Sequence, residues 1–450
     1  LGNPASAPAR HDPYAALRIR PFRLFALGNT LSNLGLQMQT GALMWEVYQV
    51  TREPLALGGV GLVQWIPTVL LALPAGHLAD RCDRRRVVLA STLAIACASL
   101  ALAWVSSRGL GLWAMYGCIL CGSIAKTLAQ PAKAALVPRL VPMERFANAV
   151  TWNTSGFQLA AVAGPALQGA AIAAWHRPAL VYLTDAAAAL GFSLLLVAMG
   201  PGAASAPGSS RSSPVTWEEI AAGFRFVWRT RVLFAAITLD LFAVLLGGAT
   251  ALLPVYQHIL GTSPAGLGWL QAAPAMGAMA MSLLLAHRPP LARAGRALLW
   301  AVTGYGLAII VFGLSRHLWL SWSMLFLTGA FDTISVVVRH TLVQVLTPDS
   351  MRGRVSAVNG MFIYASNELG GFESGAMAHL TSPRFAVVSG GLGTLLVVAV
   401  VALLSPGLRA FGRLDRGCTP EAEREPGPEH CREKPHEPPP ALEAVPDAAP

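Results

Sequence analysis

The sequence predicts an all-α, polytopic membrane protein of twelve transmembrane helices in two pseudo-symmetric six-helix bundles, and three observations predict it. Of 450 residues, 54% are hydrophobic and only 12% charged, a balance that excludes a soluble multidomain chain of this length. The apolar residues fall in runs long enough to cross a bilayer at about 20 residues per crossing. Lipid offers unpaired backbone groups no partner, so such runs must be helices. A Gly-, Ser- and Pro-rich stretch at residues 200–214 then divides the runs into two sets of six.

Taken in order, the spans are read near 23–49, 55–79, 87–107, 110–130, 147–174 and 178–199, then 232–257, 264–287, 297–315, 318–338, 355–380 and 384–405. The domains follow: a cytoplasmic N-terminal segment at 1–22, a first bundle at 23–199, a cytoplasmic linker at 200–231, a second bundle at 232–405 and a tail at 406–450. The tail, rich in Pro, Glu and Ala, reads as disordered. Arg10, Arg18, Arg20 and Arg23 precede an apolar stretch too long for a signal peptide, so the first segment is expected to stay as a span. Within the linker, Thr216 and Glu219 have capping-box spacing, and Trp217, Ile220, Phe224 and Val227 form one apolar stripe. A helix lying on the cytoplasmic surface is expected there, with Arg225, Arg229 and Arg231 towards head groups or water.

Orientation comes from Gly76 to Arg86, which packs Asp80, Arg81, Asp83, Arg84, Arg85 and Arg86 between two apolar runs. Translocating that much positive charge is strongly disfavoured, so this hinge belongs to the cytoplasm. The odd-numbered loops hold only Arg52, Arg108, Arg177, Arg316 and Arg384 of the 33 lysines and arginines. Both termini are therefore expected inside. The formal net charge of +10 reflects this orientation, and no nucleic-acid partner is expected.

The two halves also match at an offset of 206. Lys133, Leu136, Val137, Leu140 and Pro142 fall on Arg339, Leu342, Val343, Leu346 and Pro348, each set just after the fourth span of its half. This points to an internal duplication.

Gly76, Leu78, Ala79, Asp80, Arg81, Arg84 and Arg85, set between the second and third of twelve spans, resemble the hinge motif of the major facilitator superfamily, with Asp83 in place of its second glycine. A narrower resemblance lies in Asp240 to Pro254, Phe331 to Arg339 and Arg352 to Asn359, which are similar to the branch holding enterobactin exporters and macrolide-type or multidrug efflux proteins. Ala160-x-x-x-Gly164-Pro165-x-x-Gln168-Gly169 resembles the antiporter motif of drug–proton exchangers. Small residues let helices approach and proline weakens the ladder, which suits a moving gate or an ordinary close-packed contact. The resemblance implies a bacterial cytoplasmic (plasma) membrane protein, expected to act as a monomer. Asp80, placed to accept from arginines and from a helix N-terminus, would latch the cytoplasmic side when the cavity faces outward.

Candidate transport residues follow from polarity inside the spans. Asn29, Asn33 and Gln37 recur at i, i+4 and i+8 with Thr40 near the same face, a stripe that fits a water-filled cavity or a satisfied helix contact. Each ionisable group at mid-membrane costs about 2.5–3.5 kcal/mol on insertion scales, which singles out Glu46, Lys126, Asp185, Asp240, Asp332, Arg339, Glu368 and Glu373. Glu46 and Asp185 fall towards the outer half and read as interfacial. Asp240, Glu368 and Glu373, then Asp332, are the proton-coupling candidates, because a partly dehydrated carboxylate can alternate between protonated and ionised forms; a structural role is the alternative for each. Lys126 and Arg339 join the substrate candidates, and at the 206 offset Lys126 is expected to confront Asp332. His77, His258, His340 and His379 sit near span ends and read as interfacial.

No phosphate-binding loop, His-Glu-x-x-His or Gly-x-Ser-x-Gly occurs, so neither an ATP-driven pump nor an enzyme is expected. Cys118-x-x-Cys121 lies in an apolar span and reads as packing, and no cofactor or metal is implied. The leading reading is a secondary active exporter of an amphipathic small molecule by proton antiport. A surplus of acids favours neutral or cationic drugs, while the resemblance favours a siderophore such as enterobactin. A non-transporting sensor or scaffold on the same fold is the alternative.

Overall fold

The computed structural model describes residues 12–200, 217–288, 293–348 and 350–412, and every regular element among them is helical. Helices α1 (Arg20–Thr51), α2 (Pro54–Leu70) with α3 (Ala72–Arg81), α4 (Arg84–Arg108), α5 (Leu112–Leu140), α6 (Phe146–Trp175) and α7 (Pro178–Ala198) make the six crossings of the first bundle. After α8 (Trp217–Arg229), the second bundle repeats the plan with α9 (Arg231–Leu246) and α10 (Leu253–Ile259), α11 (Pro264–Ala286), α12 (Ala294–Leu314), α13 (Leu318–Leu346), α14 (Arg352–Leu380) and α15 (Pro383–Leu404), followed by α16 (Pro406–Ala410). Prolines open α2, α7, α11 and α15, where the missing N–H is one that a helix start leaves unpaired anyway.

Two crossings are broken, each for a local reason. Pro74 has no N–H to give the carbonyl of Leu70 and its ring crowds that carbonyl, so the second crossing interrupts at Leu71 and resumes as α3. The seventh ends at Gly247, passes through a 3₁₀ turn at Ala249–Leu252 and restarts around Pro254. Its freed Gly247 carbonyl accepts a hydrogen bond from the Tyr305 hydroxyl at 3.2 Å.

Among the described residues nine segments are long and apolar enough to cross a membrane on length and composition. The twelve expected crossings exceed these by α1, the broken α2–α3 unit and α14. The second crossing falls short on length, because its break leaves α2 an apolar helix of only 17 residues.

In the first bundle α1 packs on α6 and α7, and α4 on α5 and α7; in the second α12 packs on α13 and α15, and α11 on α13. The halves meet through two seams, α2 with α14 and α6 with α11, which exchange under the expected duplication. Both seams rest on glycines. A Cβ on Gly169 would lie 2.8 Å from the Gly268 Cα, and one on Gly375 2.9 Å from the Gly58 Cα. These contacts lie at the end of the odd-numbered loops. One apolar cluster there joins both halves, with Leu57, Val60 and Tyr182 alongside Leu252, Tyr256 and Phe312. Towards the other end the cores are separate, one built on Phe22, Leu136 and Phe192, the other on Leu298, Val338 and Leu408. The molecule is closed at one end and open at the other.

Three boundaries differ from expectation. The first helix starts at Arg20, inside the expected terminal segment, and Ala16 is buried, with its N–H donating to Asn148 Oδ1 at 3.0 Å. The tail expected to be disordered from 406 begins with α16, because Leu408 and Phe411 are apolar enough to bury in the second core; the rest of it lies outside the described residues. The linker helix forms and docks on α9 and α14 with Val227 buried and Arg225 and Arg229 exposed. Linker residues 201–216 lie outside the described residues.

Candidate functional site

Between the halves lies a cavity of about 610 Å³ whose charged lining is Asp240 of α9, Asp332 and Arg339 of α13, and Glu368 of α14. Gln37 and Thr40 of α1 and Pro165 of α6 face them from the first bundle. Three of the four proton-coupling candidates therefore converge. Glu373 does not line this cavity; Ser374 Oγ donates to its Oε2 at 3.4 Å. Five residues from Glu368, it is turned away around the same helix.

Arg339 and Asp240 form an ion pair, with only 2% and 6% of their residue surfaces exposed. Ser335 Oγ donates to the same Asp240 oxygen at 3.5 Å. The guanidinium thus finds its counter-charge on α9, a different helix from the Asp332 two turns before it. Its Nε has no hydrogen-bond partner. Asp332 and Glu368 have no cation at ion-pair distance among the described residues and stand as the cavity's unneutralised acids.

A second cavity, about 370 Å³, lies inside the first bundle, lined wholly by its own six crossings. Asn29 and Asn33 open here, Gln37 opens to the central cavity, and Thr40 borders both. The expected single stripe is divided because α1 forms the wall between the two spaces. Asn29 Nδ2 donates to Asn153 Oδ1 at 2.9 Å. Lys126 lines this cavity together with Lys133 and Asp185.

Asp185 is 1% exposed and accepts from Ser99 Oγ at 2.6 Å, and Ser99 in turn accepts from Gln39 Nε2 at 3.0 Å. Glu46, 7% exposed, accepts from Ser106 Oγ and Tyr182 Oη at 2.6 Å each. Both acids, read from the sequence as lying in the outer half or at its edge, are buried within the protein, where hydroxyls from neighbouring helices supply the hydrogen bonds that water would otherwise give. Lys133 was missed because it reads as a span-end base; the signal available was its spacing of seven from Lys126, two turns along one face.

A third, largely apolar cavity of about 680 Å³ sits between α2, α5, α8 and α14, lined by Trp65, Val69, Phe224, Met361 and Phe362. Lys126 and Glu368 both reach it. The expected partner of Lys126 was Asp332; the acids that share a cavity with it are Asp185 and Glu368, while Asp332 lines the central cavity.

The hinge residues act within the first bundle. Asp83 caps α4 by accepting from the Arg85 N–H at 2.9 Å, so an extended cap replaces the motif's second glycine. Arg84 Nη1 donates to the Ala135 carbonyl at 3.0 Å, and Arg85 Nε and Nη2 donate to the Leu196 and Val197 carbonyls at 2.9 and 3.1 Å. Cations thereby meet the carbonyl ends of α5 and α7. Gly76 and Arg81 lie in α3, Gly76 with open space around it. The side chain of Asp80 lies outside the described set.

The antiporter-like residues sit in close contacts. A Cβ on Gly164 would come within 2.5 Å of Gln37 Cβ. Gln168, where the motif has a small residue, is accommodated by Gly41 of α1: a Cβ there would meet Gln168 and Gln271 at 2.7 Å each. At the closed end two histidines of the second half clasp the first. His379 Nδ1 lies 2.9 Å from Glu53 Oε2, and His258 Nε2 lies 3.0 Å from Arg52 Nη1 and 3.1 Å from Gln49 Nε2. Both bridge the halves, which spacing along one helix cannot reveal.

The family profile described as transmembrane secretion effector matches residues 11–422. Enterobactin exporters of Shigella boydii serotype 18 and Escherichia coli O139:H28 are each 27% identical over 342 residues, 75% of this chain and 80% of theirs. A bacterial homologue of the iron transporter ferroportin, in an inward-facing state, superposes with a TM-score of 0.69 at 16% identity over 86% of this chain and 99% of that one. A bacterial homologue of the lysosomal transporter Spinster does so with a TM-score of 0.69 at 15% identity over 89% and 98%.

Proposed function

Because the chain belongs to the transmembrane secretion effectors of the major facilitator superfamily, we propose that it is a secondary active exporter that moves an amphipathic small molecule out of the bacterial cytoplasm in exchange for protons. The observation that carries this reading is the central cavity, where Asp332 and Glu368 line the same space as the Asp240–Arg339 pair and have no ion-pair partner among the described residues. A carboxylate that opens to water on either side in turn can carry a proton inward as substrate leaves. On this reading both termini lie in the cytoplasm, the closed end faces the periplasm and the conformation corresponds to the inward-facing state of an alternating-access cycle. Asp80 belongs to the cytoplasmic latch of the opposite state.

The apolar cavity that meets Lys126 and Glu368 supports an amphipathic substrate, and the enterobactin exporters among the relatives favour a siderophore over a drug. The test is uptake into inside-out vesicles with an imposed pH gradient, with siderophore and drug panels side by side. Export predicts gradient-dependent uptake of at least one compound, abolished in Glu368→Gln. No uptake of any compound by well-expressed protein counts against it.

A further inference from the structure

The cavity inside the first bundle differs in charge from the central one. The central cavity has three acids against Arg339, whereas the first-bundle cavity has Lys126 and Lys133 against Asp185 alone. Its single carboxylate is already engaged by the Ser99–Gln39 chain. Lys133 has a cation–π contact, its Nζ 5.1 Å from the Phe192 ring centroid, and neither lysine has a carboxylate at ion-pair distance among the described residues. Each ammonium carries three donors and accepts nothing. Two lysines that share a bilayer-depth cavity with one already hydrogen-bonded carboxylate leave an excess of positive charge there, which is costly unless something negative visits it.

The surroundings are suited to such a visitor. Ser123 and Gln130 line the cavity on the same helix as the lysines, and Asn33 and Asn153 face them. The Asn153 carbonyl is taken by Asn29, which leaves its amide as a donor. Lys126 also borders the apolar cavity, so an oxyanion held here would leave its apolar body in the space beside Trp65 and Met361. We propose that the first bundle holds an oxyanion subsite, in which Lys126 and Lys133 bind the carboxylate or an equivalent anionic group of the molecule that the central cavity handles. The proposal rests on the exporter reading for its physiological role but not for its test.

The test is calorimetric titration of the purified full-length protein with salicylate, an aromatic carboxylate, and with salicylamide, its neutral counterpart. Salicylate should bind about tenfold more tightly than salicylamide, and Lys126→Gln and Lys133→Gln should each remove about that factor for salicylate while leaving salicylamide unchanged. Lys133→Arg should retain salicylate binding, and Asp185→Asn should strengthen it by removing the competing charge. Equal affinity for the two probes, no binding of salicylate by the unmodified protein, or equal losses for both probes in the lysine variants would overturn the subsite. If salicylate selectivity holds while pH-driven vesicles move nothing, the subsite stands and the exporter reading falls.

Discussion

At the scale of single residues, the Asp240–Arg339 pair shows how the membrane sets the cost of a charge. Each group is almost fully enclosed, so removing one strands the other, at about 3–5 kcal/mol. Asp240→Asn should therefore lower the thermal unfolding midpoint in detergent, and Asp240→Asn with Arg339→Met should recover most of it. If the single and double variants melt alike, the pair is not what stabilises this corner. Transport separates the roles: recovery of stability without recovery of export would mark the pair as functional as well as structural. The sequence made the acids visible as candidates because ionisable residues are rare inside apolar runs. It did not reveal their partners. Arg339 appeared to share a face with Asp332, yet its counter-ion comes from α9, almost a hundred positions earlier in the chain. Asp185 was visible as an acid within a span, but its hydrogen-bond chain through Ser99 and Gln39, on two other helices, was not.

At the scale of helices, the closed end is held by two kinds of contact, and their magnitudes decide which one matters. The His379–Glu53 pair is exposed, with side chains 43% and 57% accessible, and a pair of that kind contributes about 0.2–1 kcal/mol. The glycine seams instead fix how near the helices can stand. Where a Cβ on Gly169 would sit 2.7 Å from the Pro264 carbonyl oxygen and 2.8 Å from the Gly268 Cα, any side chain must push two backbones apart. Gly169→Val should open the α6–α11 seam, seen as a longer spin-label distance across that end, with export reduced and His379→Ala changing the distance little. An unchanged distance in Gly169→Val would mean that the seam tolerates bulk and does not set closure. Gly164, Pro165, Gln168 and Gly169 were legible as a motif, but their contact partners Gln37, Gly41 and Gly268 were not. Helix–helix contacts are pairwise facts about three dimensions, and a single sequence records only one side of each. The breaks at Leu71 and Gly247 had a local cause in Pro74 and in Gly247 with Pro254, which hydropathy averaged away.

At the scale of the whole molecule, the arrangement implies motion of two stiff bodies. The hinge arginines tie α4 to the carbonyl ends of α5 and α7 within the first bundle, and α16 ties the end of the second bundle onto the start of α12. Each bundle keeps a core of its own at the open end, while the shared core lies at the closed end. If the proposed alternating-access cycle holds, the α2–α14 and α6–α11 seams part once per cycle, because they join the halves at the closed end. Joining the halves there should stop transport without unfolding anything. In a protein whose native cysteines are replaced, Glu53→Cys with His379→Cys, bridged by a short bis-methanethiosulfonate reagent that forms a disulfide at each cysteine as methanesulfinate leaves, should lose export and regain it when the bridge is reduced. Either single cysteine treated alike should retain activity. Export that persists in the bridged protein would show that these seams stay shut throughout the cycle, and would require a path to the outside other than rocking of the two bundles.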